Sequence, residues 1–75
     1  MTITKRQLQF IVNSDVEELV ALLQADYGLT LTDAFDRVYN SQLYAKLINT
    51  RTGLYLQSPL YQYDCLKEEL QQPTA

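Results

Sequence analysis

Apolar residues in the first third of the chain recur at intervals of three and four: Leu8, Ile11, Val12, Val16, Leu19, Val20, Leu23 and Tyr27. That is the period of one broad face of an α-helix. The pattern predicts a helix from about Thr4 to Asp26. Thr4, with Gln7 three residues later, supplies a capping box at its start. Ser14 with Glu17 is a competing start. The apolar stripe passes Ser14 without a change of phase, which favours one continuous helix. Phe10 falls off the stripe and is a candidate for a second contact surface.

Gly28 suits a left-handed end to this helix, and Leu29 then packs back. A second helix starts at Thr30, paired with Asp33, or at Thr32. Leu31, Phe35, Val38 and Tyr39 form its expected inner face. Asn40-Ser41 reads as a break with a new cap at Ser41. A third helix follows, carrying Leu43, Tyr44, Leu47 and Ile48 and ending near Asn49 or Thr50. Thr52-Gly53 is a turn.

Leu54-Tyr55-Leu56-Gln57 is too short for its period to decide. It reads as an extended segment, or as a lone strand pairing with the same segment of another chain. Ser58-Pro59 is a cap residue followed by proline at a first helical position. The helix it opens runs to about Gln71, with Leu60, Tyr63, Leu66 and Leu70 along one side and Lys67, Glu68 and Glu69 toward solvent. Pro73-Thr74-Ala75 reads as a frayed tail. The expected fold is all-α: one long helix followed by three shorter helices in a small bundle, a single domain ordered over about residues 4–71.

Composition supports a folded domain. Of 75 residues, 47% are hydrophobic and only two are Gly and two Pro, which is not the makeup of a disordered chain. A domain this small buries only about 60% of its unfolded surface. It therefore gains from any added interface, and a dimer or bound partner is expected. Six of the eight aromatics are Tyr. Tyrosine suits both interfaces and the edge of a small core, so its abundance alone does not choose between them.

Six basic against nine acidic residues leave a net charge of −3. Nucleic acids and anionic membranes both select a basic footprint, so this balance argues against either. The short helices around Asn40-Ser41 resemble a helix-turn-helix only superficially. The second of them offers just Gln42, Lys46, Asn49 and Arg51 to bases and phosphates, which leaves DNA binding as an outside alternative. No apolar run is long enough for a signal peptide or a membrane span, so the cytoplasm is the expected location.

Enzyme chemistry finds little to use. There is no histidine, hence no default proton shuttle near neutral pH. The single cysteine, Cys65, has no histidine to activate it and no partner for an internal disulfide. It reads as a small half-buried apolar side chain. Asp15, Glu17 and Glu18, and again Asp33 and Asp36, read as solvated helix faces, with Asp33 complementing a helix dipole. The two glycines, Gly28 and Gly53, are too far apart for a phosphate loop. The chain is therefore expected to be no enzyme, with no metal, cofactor or small-molecule substrate.

Binding to a protein remains. Phe10 lies on a second side of the first helix, and Tyr55, Leu56, Tyr61 and Tyr63 cluster around the last turn and the start of the fourth helix. These five are the candidate partner-binding residues, since a small core leaves little room to hide them all.

Leu31-Thr32-Asp33-Ala34-Phe35, Tyr39-Asn40-Ser41, Thr52-Gly53-Leu54-Tyr55-Leu56-Gln57-Ser58-Pro59, and Tyr63 with Leu66-Lys67-Glu68-Glu69 together resemble a family of small uncharacterised bacterial proteins. The likeness covers about three quarters of the chain, and its most specific part is the Thr-Gly-Leu-Tyr turn leading into Ser-Pro. It implies a stand-alone helical protein, encoded beside toxin-like genes that include relatives of ADP-ribosyltransferases. It supplies no catalytic residues. The expected function is a non-catalytic interaction module, antitoxin-like or regulatory. The alternative is a self-associating homodimer.

Overall fold

The computed structural model describes residues 3–71. Its first helix, α1, is Lys5–Tyr27. Thr4 Oγ1 accepts from Gln7 N at 3.1 Å, and Thr4 N donates to Gln7 Oε1 at 3.0 Å. This reciprocal pair satisfies two donors that the first turn would otherwise leave open. The helix continues through Ser14, and Gly28 ends it at φ 65°, a conformation glycine adopts without steric cost.

Val12, Val16, Leu19, Val20 and Leu23 line its buried side. Helix α2, Leu31–Tyr39, is capped by Thr30, whose Oγ1 accepts from Asp33 N at 3.1 Å. Helix α3, Gln42–Leu47, is capped by Ser41, and Leu43 and Leu47 point inward. Helix α4 is Pro59–Gln71. The described chain is thus all-α, one long helix followed by three shorter ones. The proposed tail at Pro73-Thr74-Ala75 lies outside the described residues.

Five expectations need correction. Leu54–Leu56 is a turn of 3-10 helix, following another at Thr50–Thr52, and neither an extended segment nor a strand. Gly53 at φ 67° starts it, and bonds from Leu56 N to Gly53 O and from Gln57 N to Leu54 O close it locally. The inner face of α2 is Ala34 and Val38, both fully buried, while Leu31 and Tyr39 at its ends stay about half exposed. A helix of nine residues touches α1 through its middle, where Ala34 allows close approach. Tyr39 instead stacks on Phe35 at 5.8 Å and meets the edge of Tyr44 at 4.9 Å. Helix α3 stops at Leu47, short of the expected end, and Ile48 is half exposed.

Leu60 is exposed, not inward. The buried side of α4 is Gln62, Tyr63 and Leu66, and at about 100° per residue Leu60 lies roughly 120° from Leu66. Gln62 is the unexpected member. It is completely buried, and its Nε2 lies 3.0 Å from Asp15 Oδ2 on α1, 3.0 Å from Leu54 O and 3.1 Å from Gln57 O.

Glu69 also differs from its expected solvent-facing role. Its carboxylate accepts from Gln42 N at 2.8 Å and Leu43 N at 3.1 Å. Ser41 Oγ accepts from Tyr44 N at 3.2 Å. Together they satisfy the first three amides of α3, which at six residues is too short to hold itself.

Replacing Gln62 by Leu is expected to destabilise the domain by about 2–4 kcal/mol, since two carbonyls and a carboxylate lose their donor. Glu69→Ala is expected to cost about 1–2 kcal/mol through lost charge-assisted caps, and Glu69→Gln less. Urea unfolding of the three variants beside the wild type checks both values. A Gln62→Leu protein as stable as wild type would show that the buried amide is dispensable.

Candidate interaction surface

The turn at Leu54–Leu56 sorts three consecutive apolar side chains into three environments. Leu54 packs against the core, Tyr55 is half-buried, and Leu56 is 72% exposed. Two bonds from Gln62 hold this turn at Leu54 O and Gln57 O, and the third ties the same amide to α1. The turn is thereby fixed beside the N-terminal half of α1, where Phe10 is 73% exposed. Between them lies an open groove of about 620 Å³, lined by Ile3, Arg6, Gln7, Phe10, Ile11, Tyr55 and Leu56.

Its walls are apolar apart from Gln7, the Tyr55 hydroxyl and one guanidinium. It contains no carboxylate, thiol or amine to pair as nucleophile and base. The chemistry it offers is apolar contact with a cation at one end.

Phe10, Tyr55 and Leu56 are therefore brought together, as their candidacy requires. Tyr61 is half exposed but lines a separate cavity of about 350 Å³ with Gln42, Lys46, Cys65 and Glu68. Tyr63 is no docking residue. It is only 4% exposed, its hydroxyl donates to Asp26 Oδ2 at 2.6 Å, and Lys67 Nζ sits 5.0 Å above its ring. Its place on α4 beside Gln62 turns it into the core, so it joins α4 to the C-terminal part of α1.

The sequence pattern missed Ile3, Arg6 and Ile11 as groove residues. Spacing carried a signal for Arg6, four residues before Phe10 on the same side of the helix. A further signal is that the first turn of α1 has no acidic residue but carries Lys5 and Arg6, against the preference set by the helix dipole.

Two titratable groups are perturbed. Burial raises the Asp15 carboxyl above its usual range, the Gln62 hydrogen bond lowers it in part, and nearby Glu18 raises it again. Burial also raises the Tyr63 hydroxyl, and its bond to the Asp26 carboxylate raises it further. Among the described residues, no group of three or more His, Cys, Asp or Glu is placed to hold a metal ion, and no helix is long and apolar enough to cross a membrane.

Compared with known proteins, the chain matches no family model, no curated protein and no solved structure.

The exposed and buried aromatics are expected to separate in stability measurements. Phe10→Ser should change unfolding free energy by less than about 0.5 kcal/mol, as for other surface substitutions. Tyr63→Phe should cost about 1 kcal/mol at neutral pH. The Tyr63 hydroxyl is held protonated by the fold, so its contribution is fully present below about pH 10 and is lost as pH rises beyond that. The stability gap between wild type and Tyr63→Phe should therefore narrow in alkali. A gap that stays constant from pH 8 to 11 would contradict the Tyr63–Asp26 bond.

Proposed function

We propose that this chain is a non-catalytic protein-interaction module that contacts its partner through the Phe10–Tyr55–Leu56 groove. The observation that carries this reading is the exposure of Phe10 and Leu56 side by side on well-formed elements. A domain this small gains most by burying such side chains. Leaving two large apolar groups in water on one groove is the usual mark of a contact site. Aromatic anchors at the centre of an interface supply much of its binding energy.

The nature of the partner rests on the Thr52–Pro59 motif and its likeness to small bacterial proteins encoded beside toxin-like genes. On that basis the partner is a co-encoded protein in the cytoplasm, held in an antitoxin-like or regulatory complex. The motif also builds the groove: Gly53 turns the chain, Tyr55 and Leu56 form a wall, and Ser58-Pro59 opens α4. An interaction role thus accounts for the motif without assigning it any chemistry.

Co-expression of the tagged chain with the products of its neighbouring genes tests the proposal. Wild type should capture one of them, and Phe10→Asp combined with Leu56→Ser should weaken that complex at least tenfold with an unchanged thermal midpoint. Undiminished binding by the double variant would remove the groove from the interaction.

A further inference from the structure

The outward side of α1 reads, at spacings of three and four, Arg6, Phe10, Ser14, Glu17 and Ala21, with Ile3 just before the helix. All five helical positions are exposed. The order is cation, large aromatic, small, anion, small. The same side of α1 carries two consecutive hollows. The first is the apolar groove holding Phe10, Leu56 and Arg6. The second is a depression lined by Ser14, Asp15, Glu17, Glu18, Ala21 and Pro59. The first is bulky, apolar and positively charged; the second is built around small side chains and is negatively charged.

These two halves complement each other in size and in sign, but on one chain they lie in line and cannot meet. A two-fold axis brings them together. In a symmetric pair each surface patch faces a copy of itself, so self-complementarity is the requirement for its formation. We infer that in the free protein, before the co-encoded partner takes its place, the groove is covered by a second copy of this chain, with the two α1 helices packed antiparallel. The inference rests on the groove being a binding face, as proposed above, and names what fills it.

The register follows from matching large to small. With the axis level with residue 12, Phe10 meets Ser14 of the second copy, Ile3 meets Ala21, and Arg6 lies level with Glu18, next to Glu17. Each contact occurs twice. At about 1.5 Å per residue, residues 3 to 21 give a seam of roughly 27 Å. Large side chains seated against small ones let helix surfaces interlock. Apolar burial at Phe10 and Leu56 supplies the affinity, and the Arg6–Glu pairs fix direction and register, as charge pairs at interface edges do. Arg6 in the first turn of α1, unfavourable within one chain, finds a carboxylate across the seam.

Light scattering and sedimentation of the full chain from 10 μM to 1 mM test the inference. A monomer–dimer equilibrium is expected. Arg6→Glu should raise the dimer dissociation constant at least tenfold, and so should Glu17→Arg with Glu18→Arg. A chain carrying all three changes should return to within about threefold of wild type. Only an antiparallel pair restores the ion pairs within a single variant sequence; a parallel pair sets like charges opposite one another.

Circular dichroism confirms folding, and Arg6→Glu improves the match to the helix dipole. A chain monomeric at 1 mM, a dimer indifferent to Arg6→Glu, or no rescue in the triple variant each overturns the antiparallel pair. The reading of the groove as a binding face then stands or falls on capture of the co-encoded protein and its sensitivity to Phe10→Asp with Leu56→Ser.

Discussion

The Gln62 side chain joins three parts of the molecule: α1, the Leu54–Leu56 turn and the entrance to α4. Its amide nitrogen has two protons and three acceptors within 3.1 Å: a carboxylate on α1, a carbonyl inside the 3-10 turn, and a carbonyl at the entrance to α4. Orientation is decided by that surrounding, since the opposite setting would aim the amide oxygen at three oxygens. Most of the core around it is aliphatic and makes no directional contacts, whereas this amide satisfies its acceptors in one orientation. It accordingly sets where the Leu54–Leu56 turn sits on α1, and so where the groove wall stands.

This arrangement carries a cost. Gln62 Oε1 is buried and accepts no hydrogen bond from any described group, and an unsatisfied acceptor costs about 1–3 kcal/mol. Asp15 is only 8% exposed, and burial disfavours its charged form. Apolar residues at both positions together would avoid both penalties, but they would leave the Leu54 and Gln57 carbonyls without their donor and release the turn. Retaining a buried polar pair in so small a core fits a requirement for placement of the Tyr55–Leu56 wall over maximal stability. Glu69 plays the corresponding part at the other end of α4, where it holds a helix too short to persist alone.

Where the amino-acid pattern was legible, it was so for local reasons. Thr4, Thr30, Ser41 and Gly28 act on their own neighbours, so caps and helix ends follow from spacing alone. The stripe on α1 is long enough for its phase to be certain. The Leu54–Leu56 turn was illegible because its structure depends on Gln62, eight residues from Leu54 and facing α1. The same residue hid the inner face of α4: a polar side chain at the centre of that face shifted the apparent stripe toward Leu60. Glu69 could not be read as a cap, since its partners are 26 and 27 residues away. Of the five candidate contact residues, Phe10 was identifiable by its departure from the stripe. Tyr63 was not separable from Tyr61 by composition, because only the direction of α4 distinguishes a core tyrosine from a surface one.

The long helix thus serves two surfaces with opposite demands. Its inner side must be largely apolar, and Val12, Val16, Leu19 and Leu23 meet that demand over the middle of the helix, with Asp15 the one buried polar residue among them. Its outer side contributes little to folding, so its residues are free to be set by contact with something else. A solvated helix face is ordinarily built from mixed polar residues at every turn. This one carries a phenylalanine at one position and two small residues farther along, with cations and anions segregated to opposite ends. The inferred antiparallel pairing would account for the placement of Arg6, Phe10, Ser14 and Glu17 together, and the turn that Gln62 pins in place extends that face beyond the helix to Leu56.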